Sequence, residues 1–332
     1  MRKLNLIDRK ILFELDTDAR ASLSTVGKKL KIGKNNVQYR LGRMMGDGVI
    51  KKFSTMISLA KLGLFLGKFY LQLSGFDRKT EEEFYRYIMS DKRIIWVAKC
   101  EGRWDLMLGI YVENISQLND IKWDLFRRYE KYINAYDVIF TVDAQKSQRS
   151  YLIYKKSIIP KKKISAYIGR GKVPLDKIDK KILLAISNNG RYNYVELSRK
   201  LSLNPKTVQK RIKQMEAQEV INGYVVFPDP NVIGVSYFKV CIYLKNYHEK
   251  FREFVEYCIQ LPNVIHVMET LGPWEVELEM ETESVQEFYD VVKEIRNRYP
   301  SIIKNTEFVI ITDEKKLEMV PQIFPELGTP EK

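Results

Sequence analysis

The chain has 332 residues, 45% of them hydrophobic and 12% aromatic, which is more than one core usually organises and ample for two or more packed domains. Its 56 lysines and arginines against 42 acids leave a net charge of +14, which points to nucleic acid or another anionic surface as partner. Cys100, Cys241 and Cys258 have neither disulfide nor metal-ligand spacing, and no stretch has the apolar length of a signal peptide or membrane span. The sequence therefore predicts a reducing, cytoplasmic setting without metal, cofactor or membrane partner.

Sliding the chain against itself by 171 positions superposes Leu4-Asn5-Leu6-Ile7-Asp8 on Leu175-Asp176-Lys177-Ile178-Asp179. The register holds through Arg20 and Arg191, Leu30 and Leu201, Arg40 and Arg211, and Val49-Ile50 and Val220-Ile221. After a one-residue slip, Gly102-Arg103-Trp104-Asp105 meets Gly272-Pro273-Trp274-Glu275. Two homologous halves account for this better than a short repeat.

Each half opens with three helical stretches. Asn5 and Asp176 suit helix caps, with Asp8 and Asp179 placed to bond back to the first turn. A second helix spans Ser22 to Leu30 and its copy Asn193 to Leu201. A third begins at Asn35, with its copy at Lys206, and Pro205 suits a helix start. Val37, Leu41 and Met44, and likewise Val208, Ile212 and Met215, fall on one helical face and leave the other polar and basic. β-Branched residues follow, and three helices with a strand ribbon describe a winged helix-turn-helix.

The rest of the first half reads as strand Lys68–Leu73, helix Glu81–Met89, strands Ile94–Lys99 and Asp105–Tyr111, helix Ser116–Lys131 and strand Ala135–Val142. The second half repeats the order over Tyr237–Leu244, Glu249–Gln260, Val264–Thr270, Glu275–Met280, Val285–Arg298 and Ile303–Ile311. This β-α-β-β-α-β order predicts a ferredoxin-like split sandwich. The class is thus α+β, with winged helix domains at 1–58 and 174–228 and ferredoxin-like domains at 62–143 and 232–312. A basic linker at 144–173 and a tail at 313–332 complete the division. Phe69, Tyr70, Tyr237 and Phe238 are the aromatic candidates for a seam between the two sheets.

These features together resemble the leucine-responsive Lrp/AsnC regulator family twice over. The matching residues are the Leu-Asp-x-x-Asp-x-x-Ile-Leu opening, the arginine after the first helix, the third helix ending in Gly48-Val49-Ile50, and the Gly-x-x-Asp turn at Gly102–Asp105. The first copy departs by Asn5, and the second by Glu219 before Val220-Ile221 and by Glu275. The resemblance implies a transcriptional regulator that binds double-stranded DNA through the winged helices and oligomerises through the ferredoxin-like domains. It also implies a small-molecule effector such as an amino acid. With both copies in one chain, an intramolecular pseudo-dimer is expected, and a homo-oligomer is a further expectation.

A reading helix meets base edges with its N-terminal half, while later basic residues and the wing reach phosphates. Asn35, Asn36, Gln38 and Tyr39 are the candidate base readers of the first copy, and Arg40, Arg43, Lys51 and Lys52 its phosphate contacts. In the second copy the set is Lys206, Thr207, Gln209 and Lys210, then Arg211, Lys213 and Gln214. Helix-surface solvation, or a salt bridge inside the domain for Arg40 and Arg211, is the plainer alternative. Gly102, Arg103, Trp104 and Asp105, with Gly272, Pro273, Trp274 and Glu275, are the candidate effector turns; the alternative is a turn whose tryptophan packs at an interface. Catalysis is not expected: only His248 and His266 are available for a siroheme-decarboxylase-like chemistry, the first rival. An architectural DNA-packing protein is the second.

Overall fold

The repeated periodicities become repeated elements. In the first half, helices α1 (Leu6–Leu15), α2 (Leu23–Leu30) and α3 (Lys34–Gly46) precede strand β1 (Ile50–Ile57) and the short helix α4 (Leu59–Leu62). Then come β2 (Phe65–Leu73), α5 (Arg78–Ser90), β3 (Ile94–Gly102), β4 (Leu106–Val112), α6 (Ile115–Tyr129), β5 (Ile133–Ser147) and the short β6 (Lys163–Ser165). The second half supplies α7 (Lys177–Asn188), α8 (Tyr194–Leu201), α9 (Pro205–Ala217), β7 (Ile221–Pro228) and α10 (Pro230–Ile233). It ends with β8 (Ser236–Leu244), α11 (Phe251–Gln260), β9 (Val264–Leu271), β10 (Val276–Thr282), α12 (Val285–Arg298) and β11 (Ile303–Leu317). The computed structural model describes residues 4–154, 161, 163–165, 171–322 and 324. Lys162, Gly169 and Arg170 of the expected linker, and residues 325–332 of the expected tail, lie outside the described residues.

Local chemistry explains the helix starts. Asn5 accepts from the Asp8 amide at 2.9 Å, and Asp176 and Asp179 form a reciprocal capping box on α7. A second box, Asn193 with Glu196, starts α8, and Pro205 occupies the first turn of α9.

The two sheets do not stack face to face; they join edge to edge. The strand order β2-β4-β3-β11-β8-β10-β9-β5 closes on itself because β5 also pairs with β2. Closure depends on the unusual length of β5 and β11. The start of β5 pairs with β2 of its own half, and its end, Phe140 to Lys146, pairs with β9 of the other. In the same way β11 pairs first with β8 and then, from Val309 to Leu317, with β3. The strands expected to stop at Val142 and Ile311 therefore run on to Ser147 and Leu317, into the stretches read as linker and tail. A closed barrel leaves few unpaired edges and gives the chain an inside and an outside.

The aromatic candidates divide accordingly, since alternate residues of a strand face opposite ways. Tyr70 and Tyr237 belong to the core that includes the barrel interior, whereas Phe69 and Phe238 pack outward beneath the helices of their own halves. None of the four marks a flat seam between sheets.

The winged helix units are joined to each other as well. Each wing strand pairs across the halves, β1 antiparallel to β7, instead of folding into a hairpin within its own unit. The joint has reciprocal hydrogen bonds: the Ala19 amide donates to the Tyr224 carbonyl and the Gly190 amide to the Phe53 carbonyl. Arg20 Nε donates to the Gly190 carbonyl at 2.7 Å, and Arg191 Nη1 donates to the Ala19 carbonyl at 2.5 Å. Inside one chain, then, the molecule is an intramolecular pseudo-dimer.

The barrel interior is ionic. Lys68 Nζ lies 2.5 Å and Lys239 Nζ 3.1 Å from Glu277, and Lys239 also meets Glu279 at 2.9 Å. Arg149 bridges Glu281 at 2.9 Å and Asp16 at 2.6 Å, and Lys146 adds a second contact to Asp16. Burial pushes the Glu277 pKa up, but Lys239 and Lys68 outweigh it and hold the carboxyl at about 2.

Two outcomes follow. A Cβ at Gly190 would lie 2.4 Å from the Ser54 carbonyl oxygen, a backbone atom that cannot swing away. Gly190→Ala should therefore lower stability by about 1–3 kcal/mol, read as a lower urea midpoint; an unchanged midpoint would contradict so close an approach. Because the folded pKa of Glu277 is depressed from 4.5, its contribution is complete above about pH 4.5 and is lost as pH falls toward about 2. Stability measured across that window should fall more steeply in the parent than in Glu277→Gln, and equal slopes would count against the ion cluster.

Candidate nucleic-acid interface

On α3 the buried face is Val37, Leu41 and Met44, and on α9 it is Val208, Ile212 and Met215, the division expected from spacing. Outward lie Asn35, Asn36, Gln38 and Tyr39, all exposed, with Tyr39 67% accessible. On α9 Lys206, Thr207, Lys210, Lys213 and Gln214 are exposed and Gln209 is half-buried. These side chains form two polar faces, that of α9 basic, free to approach a polyanion.

The arginines of the same helices are committed inward. Arg40 Nη1 contacts Asp8 at 2.9 Å while its Nε donates to the Asn36 amide oxygen at 2.7 Å. Arg43 reaches the same Asp8 at 3.4 Å, and Asp8 itself is buried. Arg211 pairs with Asp176 at 2.9 Å and Asp179 at 3.2 Å. The helix-cap acids thus also fasten α3 to α1 and α9 to α7, the internal salt bridge named above as the alternative for Arg40 and Arg211. Breaking such a pair leaves a buried carboxylate without its partner.

The wing lysines differ from expectation for a topological reason. Because β1 pairs with β7 and abuts the barrel, Lys52 donates to the Leu317 carbonyl, lies 5.5 Å over the Phe227 ring, and has its pKa lowered chiefly by burial. Lys52 is not presented as a phosphate contact. Lys51 is more exposed and pairs with Asp229 at 3.3 Å. The residues that sequence reasoning treated only as marks of the repeat, Arg20 and Arg191, hold the two heads together. Their shared position just after the first helix was the available signal.

The effector turns are built alike in both halves. Asp105 Oδ2 accepts from the Leu73 amide at 2.7 Å, and Glu275 Oε2 accepts from the Leu244 amide at 2.6 Å. Each acid therefore pins its turn to the neighbouring strand instead of facing outward as a free ammonium acceptor. Trp104 and Trp274 are buried with Tyr70, at ring-centroid distances of 6.2 and 5.0 Å. Arg103 is exposed and pairs with Glu307 at 2.5 Å, while Gly102, Gly272 and Pro273 form exposed backbone. Gly102 has φ +134°, a conformation that favours glycine. Among the described residues no group of three or more His, Cys, Asp or Glu is arranged to hold a metal, and no helix is long and apolar enough to cross a membrane.

The geometry separates exposed polar side chains from those that fasten the helices. Gln38→Ala should leave the melting temperature within about a degree, since an exposed surface change costs little, yet weaken DNA binding. Arg40→Ala should lower the melting temperature by several degrees, consistent with the loss of about 1–3 kcal/mol from charged hydrogen bonds. Equal melting temperatures for the two variants would overturn this assignment.

Comparison with known proteins agrees with the geometry. A family described as winged helix-turn-helix DNA-binding matches residues 4–51 and again 175–222. An uncharacterized HTH-type transcriptional regulator of Pyrococcus horikoshii is 32% identical over 125 residues, 37% of this chain and 83% of that protein. HTH-type transcriptional regulator FL11 of the same organism is 26% identical over 153 residues, covering 45% of this chain and 98% of the relative. Among solved structures, the siroheme decarboxylase NirDL superposes with a TM-score of 0.62 over 97% of this chain and 96% of its own, at 13% identity, a likeness of fold. With winged helix matches in both halves and a 32%-identical regulator covered over 83% of its length, the protein belongs to the Lrp/AsnC family of helix-turn-helix transcriptional regulators, its unit duplicated in tandem.

Proposed function

We propose that the chain acts as a sequence-specific, double-stranded DNA-binding transcriptional regulator that reads one operator with two non-identical heads. What carries the reading is the pair of exposed polar faces on α3 and α9, held by the β1–β7 joint within a single chain. Asn35, Asn36 and Gln38 offer amides suited to adenine edges, whereas Lys206 and Lys210 favour guanine or phosphate. The two half-sites therefore differ, unlike the palindrome of a homodimer. The inter-chain pairing by which ordinary dimers form is satisfied here inside one molecule.

An amino-acid effector at the two turns belongs to the same reading. With Asp105 and Glu275 bound to strand amides and Arg103 paired with Glu307, the groups left for it are the exposed backbone of Gly102, Gly272 and Pro273. A decarboxylase reading has the fold likeness in its favour. Against it, the cavity inside the barrel is about 140 Å³, below the roughly 300–1,000 Å³ of pockets that take larger ligands. His266 is also engaged with Glu279 at 2.6 Å.

Selection of bound sequences from a random DNA pool should return an asymmetric consensus, and binding should fall about a thousandfold or more between 50 and 200 mM salt if ~6–10 phosphates are neutralised. A symmetric consensus would overturn the two-head reading, and a sequence-independent footprint would favour a DNA-packing role.

A further inference from the structure

The barrel is symmetric in backbone and asymmetric in chemistry. Where β10 places Glu277, Glu279 and Glu281 inward, the corresponding β4 positions are Met107, Gly109 and Tyr111. Trp96 packs over Gly109, where a Cβ would lie 3.0 Å from the tryptophan Cβ, and a cavity of about 140 Å³ lined by both opens beneath the β1–β7 sheet. Its apolar walls include Trp96, Tyr111, Met268 and Phe227. That volume is comparable to an engineered cavity that admits a benzene ring.

The charges around the cavity do not all cancel. Lys68 and Lys239 are matched by Glu277 and Glu279, and Arg149 with Lys146 by Glu281 and Asp16. Glu314 and Glu318 also line the cavity, and no described basic side chain forms an ion pair with either. Lys52, whose charge lies near both, has its ammonium on the Leu317 carbonyl. Glu314 accepts a hydrogen bond from Trp96 Nε1 at 3.0 Å, and Glu318 Oε2 is buried with no hydrogen-bond partner. Burial raises the Glu314 pKa and the neighbouring Glu279 adds to the rise, against the Trp96 hydrogen bond, Lys51 and Lys52, which lower it.

We infer that this cavity is a binding site for a small organic ammonium ion with an apolar body, such as a short alkylamine or arylamine. The ammonium sits between Glu314 and Glu318, and the body lies against Tyr111 and against Trp96, whose ring already carries Lys239 Nζ at 4.7 Å. An α-amino acid is disfavoured, because the cations that would meet its carboxylate are already paired. The site is distinct from the Gly102 and Gly272 turns. It touches Met56 and Phe227 of the sheet that joins the two heads, so an occupant contacts both the barrel and the head joint.

The test needs no DNA and is thus independent of the operator reading. The full chain is titrated by calorimetry with benzylamine and butylamine, and with benzyl alcohol and benzoate as neutral and anionic counterparts. One saturable amine site per chain is expected, with both counterparts at least tenfold weaker. Glu314→Gln keeps an acceptor for Trp96 and removes the charge; it should melt no lower than the parent and bind benzylamine at least tenfold more weakly. The inference is overturned by no saturable amine binding, by benzyl alcohol or benzoate binding as tightly, or by undiminished amine affinity in a folded Glu314→Gln. Should that variant not fold, Glu318→Gln is the second readout, and undiminished affinity there overturns the inference equally.

Discussion

The structure rests on two strands that are longer than their own sheet requires. The last residues of β5 and β11 leave the half that made them and hydrogen-bond to β9 and β3 of the other. Each ferredoxin-like sheet alone would expose an edge strand ready to pair with another chain. Duplication supplies the missing partner within the same molecule, so edge pairing becomes barrel closure. Closure in turn creates the buried interior in which Tyr70, Trp104 and Trp274 gather and the ionic residues must find one another.

That interior shows how the copies diverged under a shared backbone. Both retain an inward lysine, Lys68 and Lys239, at the same place on their first barrel strand. Only the second half provides the answering acids on β10, and one cluster thereby binds both halves together. Trp274 Nε1 donates to Glu277 at 3.1 Å, while Trp104 Nε1, with Met107 in the corresponding position, has no hydrogen-bond partner. Buried ion pairs recover little net stability after desolvation, and their better-attested effect is to specify one arrangement. Here that arrangement is one first half against one second half.

The heads follow the same economy. Arg20 and Arg191 each reach a carbonyl of the opposite unit, and β1 pairs with β7, so the reading helices are carried on one joint. Arg40 and Arg211, which look like phosphate contacts in a linear reading, secure each helix to its own domain through Asp8, Asp176 and Asp179. The amides of α3 and the lysines of α9 are left exposed.

Much of this was legible beforehand because it is local. Helical spacing at Val37, Leu41 and Met44, the caps at Asn5 and Asp176, and the repeated strand order each depend on residues a few positions apart, and they determined the duplication, the element order and the α+β class. Tertiary structure alone decided where the strand ends pair, which wing lysine is covered, and which acids answer which cations. Those choices join residues far apart in the chain, such as Arg149 and Glu281, separated by 132 positions, or Lys68 and Glu277, separated by 209. Periodicity states that a residue faces inward; the partner it meets there is settled only when the barrel closes.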